Sequence, residues 1–578
     1  MGFADTINDH AAQIVGARGS AVETARGRLM VMGLLFLIAY AGMAARVTYL
    51  CLWQEGAEPR YEAMRGTNDR SAVLAAGRAD ITDRNGVLLA TTLDTMSLYA
   101  DPKMVLEPAR AAEDLKKIFP DINQADITKK LSGKQRFVWL RRGLTPKDIA
   151  AVNALGHPGL NFRSESRRFY PQESLTSHLI GYTDVDGTGL AGVERSMNDV
   201  LVKGGAPVQL TIDVRFQHAL RREVAKAVHD FNAKGASGVI VDVNSGDILA
   251  AVSLPDFDPQ DAGAASDDAK FNRYALGVYE MGSTFKTFAI AVLLDEVNGS
   301  YNQRFDATKP IRIGRFSITD YHAQKRVMTL PEVFMHSSNI GTALVAQTVG
   351  TDRLKSFYQK LGFFAPVPIT DIPEKAAPLV PNPWLPVSTM TASYGHGIAV
   401  TPLHLIRAFS AIVNGGALPM LHIVKGEHDE VRPRMISEET SHKMRELLRL
   451  VVTHGTGSKA DEPGAMIAGK TGTSEKNGPG GYIKDKLVSS FVATFPADKP
   501  KYAILISVDE PKGNKQSYGY ATAGWVAAPP TGAVAKAIMA LDSMPPADPK
   551  IDSAFAEDVA GYIQGEPKVT TKTAAFER

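Results

Sequence analysis

The sequence predicts a multi-domain α/β (α+β) fold, with a transmembrane helix near the N-terminus and an antiparallel sheet flanked by helices in its second half. Three observations support this prediction. An uncharged apolar run occupies residues 29 to 45, strand-like runs rich in β-branched residues lie near both ends of region 206 to 544, and helical patterns separate them. At 578 residues the chain is too long for one hydrophobic core.

Composition and charge limit the possible classes of function. Charged residues make up 22% of the chain and hydrophobic residues 44%, as in ordinary globular proteins. A net charge of +2 gives no reason to expect nucleic-acid binding, because such proteins concentrate basic residues on one face. The single cysteine, Cys51, excludes an intramolecular disulfide and a cysteine-based metal site. We expect no metal, no cofactor and no nucleic-acid partner.

The N-terminal apolar run predicts one membrane span, over residues 29 to 52. From Leu29 the chain runs for 17 residues without a charge, and a helix of that length spans about 25 Å. Arg46 can snorkel to the membrane surface, and the apolar character then continues to Trp53, a residue suited to the headgroup region. Residues 1 to 28 would form a cytoplasmic tail because arginines precede the span.

Two other interpretations of this run stay open. Ala39-Tyr40-Ala41 fits the small-residue pattern of a signal-peptide cleavage site, which would leave a mature chain that begins at Gly42. The long leader and the apolar residues after Arg46 favour an uncleaved anchor instead. A buried core helix is disfavoured because no polar residues alternate with the apolar ones.

Residues 53 to 205 begin as a polar linker and continue as short apolar runs separated by turns. Asn85-Gly86 lies between two such runs and predicts a hairpin. The region shows no nucleophile and base at helical spacing and no metal-ligand pattern. We therefore expect it to be structural.

Region 206 to 544 is predicted to form a second domain, with strands near both ends of the region and helices between them. This order predicts an antiparallel sheet that is completed by strands late in the sequence. Its predicted elements are a helix over Gln217 to Phe231 capped by Asp213, a hairpin of Gly238 to Val243 with Asp247 to Val252, strands over Leu487 to Phe495 and Tyr502 to Val508, and a helix over Ala533 to Leu541. Residues 545 to 578 are polar and weakly patterned, and we interpret them as a tail.

Ser283 and Lys286 provide a nucleophile and a base three residues apart at the start of a predicted helix, 283 to 298. This spacing places the hydroxyl and the amine on one helical face. A serine attacks a carbonyl poorly until a neighbouring group takes its proton, and a lysine can do so only when burial lowers its pKa. Alone the pair is weak evidence, since an ordinary helix capped by Ser283 has the same pattern.

Two later motifs strengthen this interpretation. Ser337-Ser338-Asn339 begins 54 residues after Ser283, and Lys470-Thr471-Gly472-Thr473 begins 133 residues after Ser337. Alone, these would be a helix cap, a turn and a surface lysine. Together with Gly395-His396-Gly397 and Thr401-Pro402-Leu403, they resemble a class B penicillin-binding protein over roughly residues 75 to 530.

The resemblance implies the penicillin-recognising fold and a D,D-transpeptidase that acts on peptidoglycan stem peptides ending in D-Ala-D-Ala. Catalytic roles would fall to Ser283 as nucleophile, Lys286 as base and Ser337 as proton relay. Substrate-binding roles would fall to Asn339, Lys470, Thr471, Gly472 and Thr473. The backbone N–H groups of Ser283 and Thr473 would form the oxyanion hole.

The same resemblance assigns residues 53 to 205 to a pedestal, or dimerisation-type, domain and 206 to 544 to the transpeptidase domain. Residues that match the pedestal motifs are expected to form interdomain charge pairs and turns: Arg78, Asp83, Arg84, Arg168, Tyr170, Pro171, His178, Gly189, Gly192 and Glu194. His396 is expected to be structural, because Lys286 already provides a base.

Three other functions fit parts of the sequence, and each is disfavoured. Gly464 to Thr471 matches the phosphate-loop pattern, but its polar, proline-ended approach and the glycines after it do not fit a strand that leads into a helix. A class A β-lactamase would need a Glu-x-x-Leu-Asn segment, which does not occur between Asn339 and Lys470. A non-enzymatic wall scaffold or sensor is disfavoured by the complete set of polar groups.

The resemblance also implies partners and a location. Expected ligands are stem peptides and β-lactams, and the expected location is the inner membrane, with the bulk of the chain on the extracytoplasmic side. Because class B enzymes lack a glycan-polymerising domain, an FtsW-like glycosyltransferase of the SEDS type and other division proteins are expected partners. The segment from Tyr279 to Lys286 and the chain length favour the septal, cell-division branch over the elongation branch.

Overall fold

The computed structural model describes residues 28 to 45 and 77 to 563, except 315, 427 to 430 and 479. It divides the chain into two units, residues 1 to 75 and 76 to 578. In the first unit, helix α1 (Arg28–Ala45) is 18 residues long with a mean hydropathy of 1.8, which is long and apolar enough to cross a membrane. The remainder of the predicted span, 46 to 52, lies outside the described residues, as do residues 1 to 27 and the linker to residue 76.

The second unit begins with a five-stranded sheet in the order β3-β2-β1-β5, in which β4 also pairs with β2. Its strands are β1 (Ile81–Thr82), β2 (Leu88–Ala100), β3 (Val138–Leu144), β4 (Leu160–Phe169) and β5 (Val208–Gln209). The accompanying helices are α2 (Pro108–Ile118), α3 (Gln124–Leu131), α4 (Pro146–Leu155), α5 (Ser177–Ile180), α6 (Gly192–Ser196) and α7 (Asn198–Val202). We call residues 77 to 209 the pedestal.

The predicted Asn85-Gly86 hairpin is confirmed, because β1 and β2 are antiparallel and joined at this turn. Gly86 has a φ of 87°, a left-handed conformation that favours glycine. The carboxylate of Asp83 accepts hydrogen bonds from the backbone N–H groups of Asn85 (2.7 Å) and Val87 (2.8 Å), which fixes the turn.

A buried charge cluster joins the first and last parts of the pedestal. The guanidinium groups of Arg78 and Arg168 each donate to the Glu194 carboxylate at 2.6 Å, and all three side chains are buried. Gly192 packs against the turn at Gly181, whose backbone N would lie 2.6 Å from an added Cβ. These residues form charge pairs and turns, but this cluster lies within the pedestal, whereas interdomain pairs were expected.

Contacts from the pedestal reach the region that follows it. The imidazole Nε2 of His178 lies 2.8 Å from the carbonyl O of Ala269, and the Tyr274 hydroxyl donates to the carbonyl O of His178 (3.0 Å). The backbone N–H of Gly192 donates to the Glu374 carboxylate at 3.1 Å. Buried polar bonds of this kind hold the pedestal against the rest of the unit.

The rest of the unit, which we call the head, is built on an antiparallel five-stranded sheet in the order β12-β13-β14-β6-β7. Its strands are β6 (Gly235–Asp242), β7 (Ile248–Leu254), β12 (Ala468–Gly478), β13 (Gly481–Phe495) and β14 (Tyr502–Asp509). Early and late strands therefore meet in one sheet, as predicted, with β14 paired to β6 over Tyr502 to Asp509. Strand β12 lies at one edge.

Helices cover both faces of this sheet. On one face α8 (Val214–Asp230) and α18 (Ala528–Leu541) pack on Ile240 and Ile504. The larger core on the other side contains α10 (Lys286–Glu296), α15 (Pro402–Val413) and α16 (Glu438–Thr453). The other helices of the head are α9 (Asp267–Lys270), α11 (Leu330–Met335), α12 (Asn339–Val349), α13 (Thr351–Leu361), α14 (Pro386–Ala392) and α17 (Ala523–Val526).

Two small hairpin pairs lie between α10 and α11. Strand β9 (Ile311–Ile313) pairs with β10 (Phe316–Ile318), and β8 (Arg304–Asp306) pairs with β11 (Val327–Thr329). We call residues 304 to 329 the excursion. It leads directly into α11 and the Ser337 motif.

The C-terminal part of the chain differs from the expected tail. Residues 549 to 560 form helix α19 (Pro549–Ala560), with the Asp548 side chain as its N-cap. Its Phe555 and Val559 are buried, and Asp552 pairs with Arg449 at 2.7 Å. The expectation of a tail is wrong here because two apolar residues four apart suffice to dock one face of a short helix.

Candidate active site

The candidate nucleophile lies on a tight turn directly before helix α10. Gly282–Phe285 form a 3₁₀ turn and Lys286 begins the α-helix, so Ser283 lies in the turn and not in the first α-helical turn. The predicted proximity holds nonetheless, because Nζ of Lys286 lies 2.8 Å from Oγ of Ser283. Ser283 itself is half-buried and therefore reachable from outside.

Burial changes the proton affinity of Lys286. The residue is 0% exposed, and every residue from Lys286 to Leu294 is buried, so the amine lies at the end of an apolar helix. Burial, followed by the charge of Lys470, lowers the pKa of Lys286 well below its usual range, while the charge of Asp320 opposes this. The sequence requirement of a lysine with a lowered pKa is therefore met.

Ser337 lies on the loop between α11 and α12, and Asn339 is the first residue of α12. Nζ of Lys286 lies within hydrogen-bonding distance of the carbonyl O of Ser337 (2.6 Å), Oδ1 of Asn339 (2.7 Å) and Oγ of Ser337 (3.0 Å). Ser337 has a φ of 56°, which is uncommon for a residue with a side chain. Ser338, not Ser337, caps α12 by accepting from the backbone N–H of Gly341 (2.9 Å).

Lys470 reaches the same hydroxyl from the other side. Its Nζ donates to Oγ of Ser337 (3.0 Å) and to the carbonyl O of Thr471 (3.1 Å), and the side chain is 0% exposed. Burial lowers the pKa of Lys470 to about 7. Two buried amines thus converge on one hydroxyl, an arrangement that disfavours two positive charges at once.

Strand β12 runs edge-on to the nucleophile turn. A Cβ on Gly472 would lie 2.3 Å from the carbonyl O of Met281, and one on Gly282 would lie 3.2 Å from the backbone N of Thr473. Only glycine permits this close approach. It brings the backbone of Thr473 to the turn that carries Ser283, where the sequence predicted the two oxyanion donors.

The hydroxyl groups of Thr471 and Thr473 already have hydrogen-bond partners within the protein. Oγ1 of Thr471 bonds Oγ1 of Thr456, and Oγ1 of Thr473 accepts from the backbone N–H of Ala523 (3.0 Å). Alternation along β12 places both on the face opposite Lys470 and Gly472. Their predicted role in substrate binding stays a prediction.

Several residues of the site carried no signal in the sequence. Asp320 and Thr319, at the end of β10, bond the Ser338-Asn339-Ile340 segment. On the other side, the Glu280 carboxylate accepts from the Tyr482 hydroxyl (3.0 Å) and the backbone N–H of Gly397 (3.0 Å). These partners are 18 to 202 positions apart in sequence, so no local pattern reveals them.

The structure also shows where His396 and the segment that matches the phosphate-loop pattern lie. His396 packs between the rings of Tyr394 and Tyr482, with centroids 5.3 and 5.4 Å away, and burial lowers its pKa. The segment after Gly469 is strand β12 where a phosphate loop would need a helix. Within the part of the chain that the structure describes, no group of three or more His, Cys, Asp or Glu residues could hold a metal ion.

Two family descriptions match the chain over these regions. The Penicillin binding protein transpeptidase domain matches residues 236–540, and the Penicillin-binding Protein dimerisation domain matches residues 73–202. The chain belongs to the penicillin-binding proteins. The predicted class B architecture of this family, a dimerisation domain ahead of a transpeptidase domain, is confirmed.

Relatives within the penicillin-binding proteins point to one branch. The chain is 43% identical over 477 residues, 80% of each chain, to a probable peptidoglycan D,D-transpeptidase FtsI of Caulobacter vibrioides. It is 30% identical over 549 residues, 88% of this chain and 91% of the other, to peptidoglycan D,D-transpeptidase FtsI of Escherichia coli. The predicted enzyme class is confirmed by these relatives.

Solved penicillin-binding proteins share the architecture. The crystal structure of penicillin-binding protein 3 from Mycobacterium tuberculosis in complex with aztreonam has a TM-score of 0.65 and 26% identity, and the match covers 82% of this chain and 98% of that one. The same protein in complex with ampicillin matches equally, over 97% of its chain. The predicted fold class is confirmed.

Proposed function

We propose that the protein is a septal peptidoglycan D,D-transpeptidase that crosslinks stem peptides through an acyl-enzyme at Ser283 and releases D-Ala. One observation carries the proposal: Ser283, Lys286, Ser337, Asn339 and Lys470 form one continuous hydrogen-bond network around a half-buried nucleophile. The FtsI names of the relatives support the septal role.

Acylation follows from the bonding of Lys286. A neutral amine has two hydrogens and one lone pair, and the carbonyl O of Ser337 and Oδ1 of Asn339 accept the two hydrogens. The lone pair then takes the hydroxyl proton of Ser283 as Oγ attacks the carbonyl of the penultimate D-Ala. The backbone N–H groups of Ser283 and Thr473 would stabilise the developing oxyanion.

The leaving group and the second substrate complete the cycle. The bond between the two D-Ala residues breaks, and the proton held by Lys286 passes through the Ser337 hydroxyl to the leaving amine. The terminal carboxylate would bind along the Lys470-Thr471-Gly472-Thr473 edge of β12, and Asn339 would bind an amide of the donor stem. An amine of a neighbouring stem then attacks the ester and regenerates the Ser283 hydroxyl.

Mass spectrometry of the protein after incubation with a penicillin tests this mechanism. We expect stoichiometric addition of the drug's mass to the peptide that contains Ser283, with slow release, and no addition to Ser283→Ala. Folded protein that neither forms the adduct nor hydrolyses the drug would contradict the proposal and favour a scaffold or sensor. Rapid hydrolysis without a persistent adduct would favour a β-lactamase.

We assign residues 1 to 28 to a cytoplasmic tail, 29 to 52 to an inner-membrane anchor, 53 to 205 to the pedestal domain and 206 to 544 to the transpeptidase domain. The apolar helix Arg28–Ala45 supports the anchor, and the bulk of the chain would then be extracytoplasmic. N-terminal sequencing of the protein from membranes tests this assignment. A mature N-terminus at Gly42 would show a cleaved signal peptide instead.

The septal role implies a glycan-polymerising partner in the same membrane, of the FtsW-like SEDS type, together with other division proteins. Depleting the protein in its host should block septation while elongation continues. Round cells that still divide would move the enzyme to the elongation branch, without affecting the chemistry at Ser283.

A further inference from the structure

The excursion between helices α10 and α11 ends beside the Ser337 loop. Within it, Thr319 and Asp320 directly follow strand β10. The Asp320 carboxylate accepts from Oγ of Ser338 (2.7 Å) through one oxygen and from the backbone N–H of Ile340 (3.0 Å) through the other. The carbonyl O of Thr319 accepts from Nδ2 of Asn339 at 3.0 Å.

These three bonds reach three consecutive residues directly after Ser337. Ser337 is held at a φ of 56°, and such a conformation persists only where the surrounding structure enforces it. The Asp320 carboxylate contacts both the side chain of Ser338 and the first turn of α12, so it ties the loop to the helix start. The loop geometry thus depends on a residue that touches neither Ser283 nor Lys286 by a hydrogen bond.

The orientation of the Asn339 amide follows from the same contacts. Nδ2 donates to the Thr319 carbonyl, so Oδ1 faces the opposite way and accepts from Lys286 at 2.7 Å. Without the Thr319-Asp320 segment in place, the amide could present either end to the amine. A misplacement of about 1 Å at such a site costs on the order of 10²-fold in rate.

We propose that Asp320 is a positioning residue of the transpeptidase reaction, whose carboxylate holds Ser338 and Ile340 so that Ser337 and Asn339 face the Lys286 amine. The inference rests on the proposed function of Ser283 and Lys286. The excursion lies outside the three catalytic motifs, and the proposal gives it a role in positioning the groups that surround the Lys286 amine.

The charges around Lys286 predict that Asp320 also affects the pH dependence of acylation. Burial and then the charge of Lys470 lower the pKa of Lys286, and the charge of Asp320 raises it. His396 is the other titratable group coupled to this amine: burial and then the charge of Lys286 lower the pKa of His396. Removing the Asp320 charge therefore lowers the pKa of Lys286 further, and more of the amine is neutral at a given pH. The acid limb of the acylation profile should then move to lower pH, which a purely mechanical role would not produce.

Acylation by a fluorescent penicillin, measured as a second-order rate constant across a pH series in the full chain, tests the proposal. Asp320→Ala should acylate on the order of 10²-fold more slowly than wild type. Asp320→Asn should retain acylation within about tenfold, because its amide can accept from Ile340 and donate to Ser338. Its acid limb should lie at lower pH than that of wild type.

Asp306→Ala is the matched control on the same excursion. The Asp306 carboxylate is exposed and, among the residues that the structure describes, accepts hydrogen bonds only from Thr308 in its own turn. This variant should acylate as wild type does. Melting temperatures of all three variants show whether they fold. Wild-type rates in folded Asp320→Ala, or an equal loss in Asp306→Ala, would overturn the proposal.

If Asp320→Ala does not fold, Asp320→Asn decides the question, and an acid limb at the wild-type position would overturn the proposal. A wild-type protein that forms no adduct would instead contradict the proposed function. The two failures are therefore distinct.

Discussion

Two buried clusters in this chain each contain two basic side chains, and they differ in the group that lies between them. In the pedestal, Arg78 and Arg168 flank the carboxylate of Glu194 at 2.6 Å. In the head, Lys286 and Lys470 flank the hydroxyl of Ser337 at 3.0 Å. A carboxylate compensates buried positive charge, whereas a hydroxyl does not.

The difference separates a structural cluster from a catalytic one. Arginine stays protonated in proteins, so the pedestal cluster keeps its charges and joins distant parts of the chain. Lysine can lose its proton, and burial lowers the pKa of Lys286 and of Lys470, the latter to about 7. Two basic side chains therefore stabilise one region as cations and provide a base in the other as neutral amines.

The largest expected effect comes from removing the base. Lys286→Met should slow acylation by roughly 10²- to 10⁴-fold, because Lys286 is the only side chain among the described residues that is hydrogen-bonded to the Ser283 hydroxyl. Drug binding before acylation should change little, so the saturation constant and the acylation rate should separate in stopped-flow measurements. Near-normal acylation would show that another group accepts the proton.

Breaking the pedestal cluster should affect stability and spare the chemistry. Glu194→Ala leaves two buried arginines without their carboxylate and should lower the free energy of unfolding by about 3–5 kcal/mol. Glu194→Gln, which keeps the shape of the side chain, should lose less. Denaturant unfolding measures both variants, and acylation per folded molecule should match wild type. A loss of acylation in folded Glu194→Ala would contradict the assignment of a purely structural role to the pedestal cluster.

In the lysine cluster a buried positive charge should destabilise the folded state, whereas the paired charges of the pedestal cluster stabilise it. Since the pKa of Lys470 is about 7 in the folded protein, the folded state binds fewer protons than the unfolded chain between about pH 7 and pH 10. The free energy of unfolding then rises with pH across this window. Lys470→Met should stabilise the protein by about a few kcal/mol at pH 7 and by much less near pH 10. A pH-independent difference in unfolding free energy would show that Lys470 is not neutralised by folding.

The smallest effect is expected at a third cluster, which is only partly buried. Arg449 pairs with Asp552 of helix α19 and also with Asp461, both at 2.7 Å. Asp552→Asn keeps the second partner and should cost about 1 kcal/mol in denaturant unfolding. A loss of unfolding free energy as large as that of Glu194→Ala would show that the size of the loss does not depend on how deeply the carboxylate is buried.

Much of the fold was predictable because its signals are local. The hairpin of β6 with β7, the late strand β14 and helix α8 lie within three residues of their predicted bounds. Strand β13 ends where predicted, at Phe495, but begins at Gly481, six residues before the predicted start. Helix α19 was missed because its apolar face consists of few residues, although Asp548-Pro549 is an N-terminal signal. The first turn at Ser283 was predicted as α-helix and is 3₁₀, a distinction that depends on how the turn packs against β12.

By itself the sequence determined the family, the order of the motifs and the proximity of Ser283 to Lys286, since a spacing of three residues places two side chains together in any helical turn. Tertiary structure alone decided that Ser337 adopts a φ of 56° between two buried lysines and that Asp320 holds the neighbouring loop. The physical reason is that these contacts join residues as far as 133 positions apart, and burial, which sets the pKa of each lysine, exists only after those segments pack.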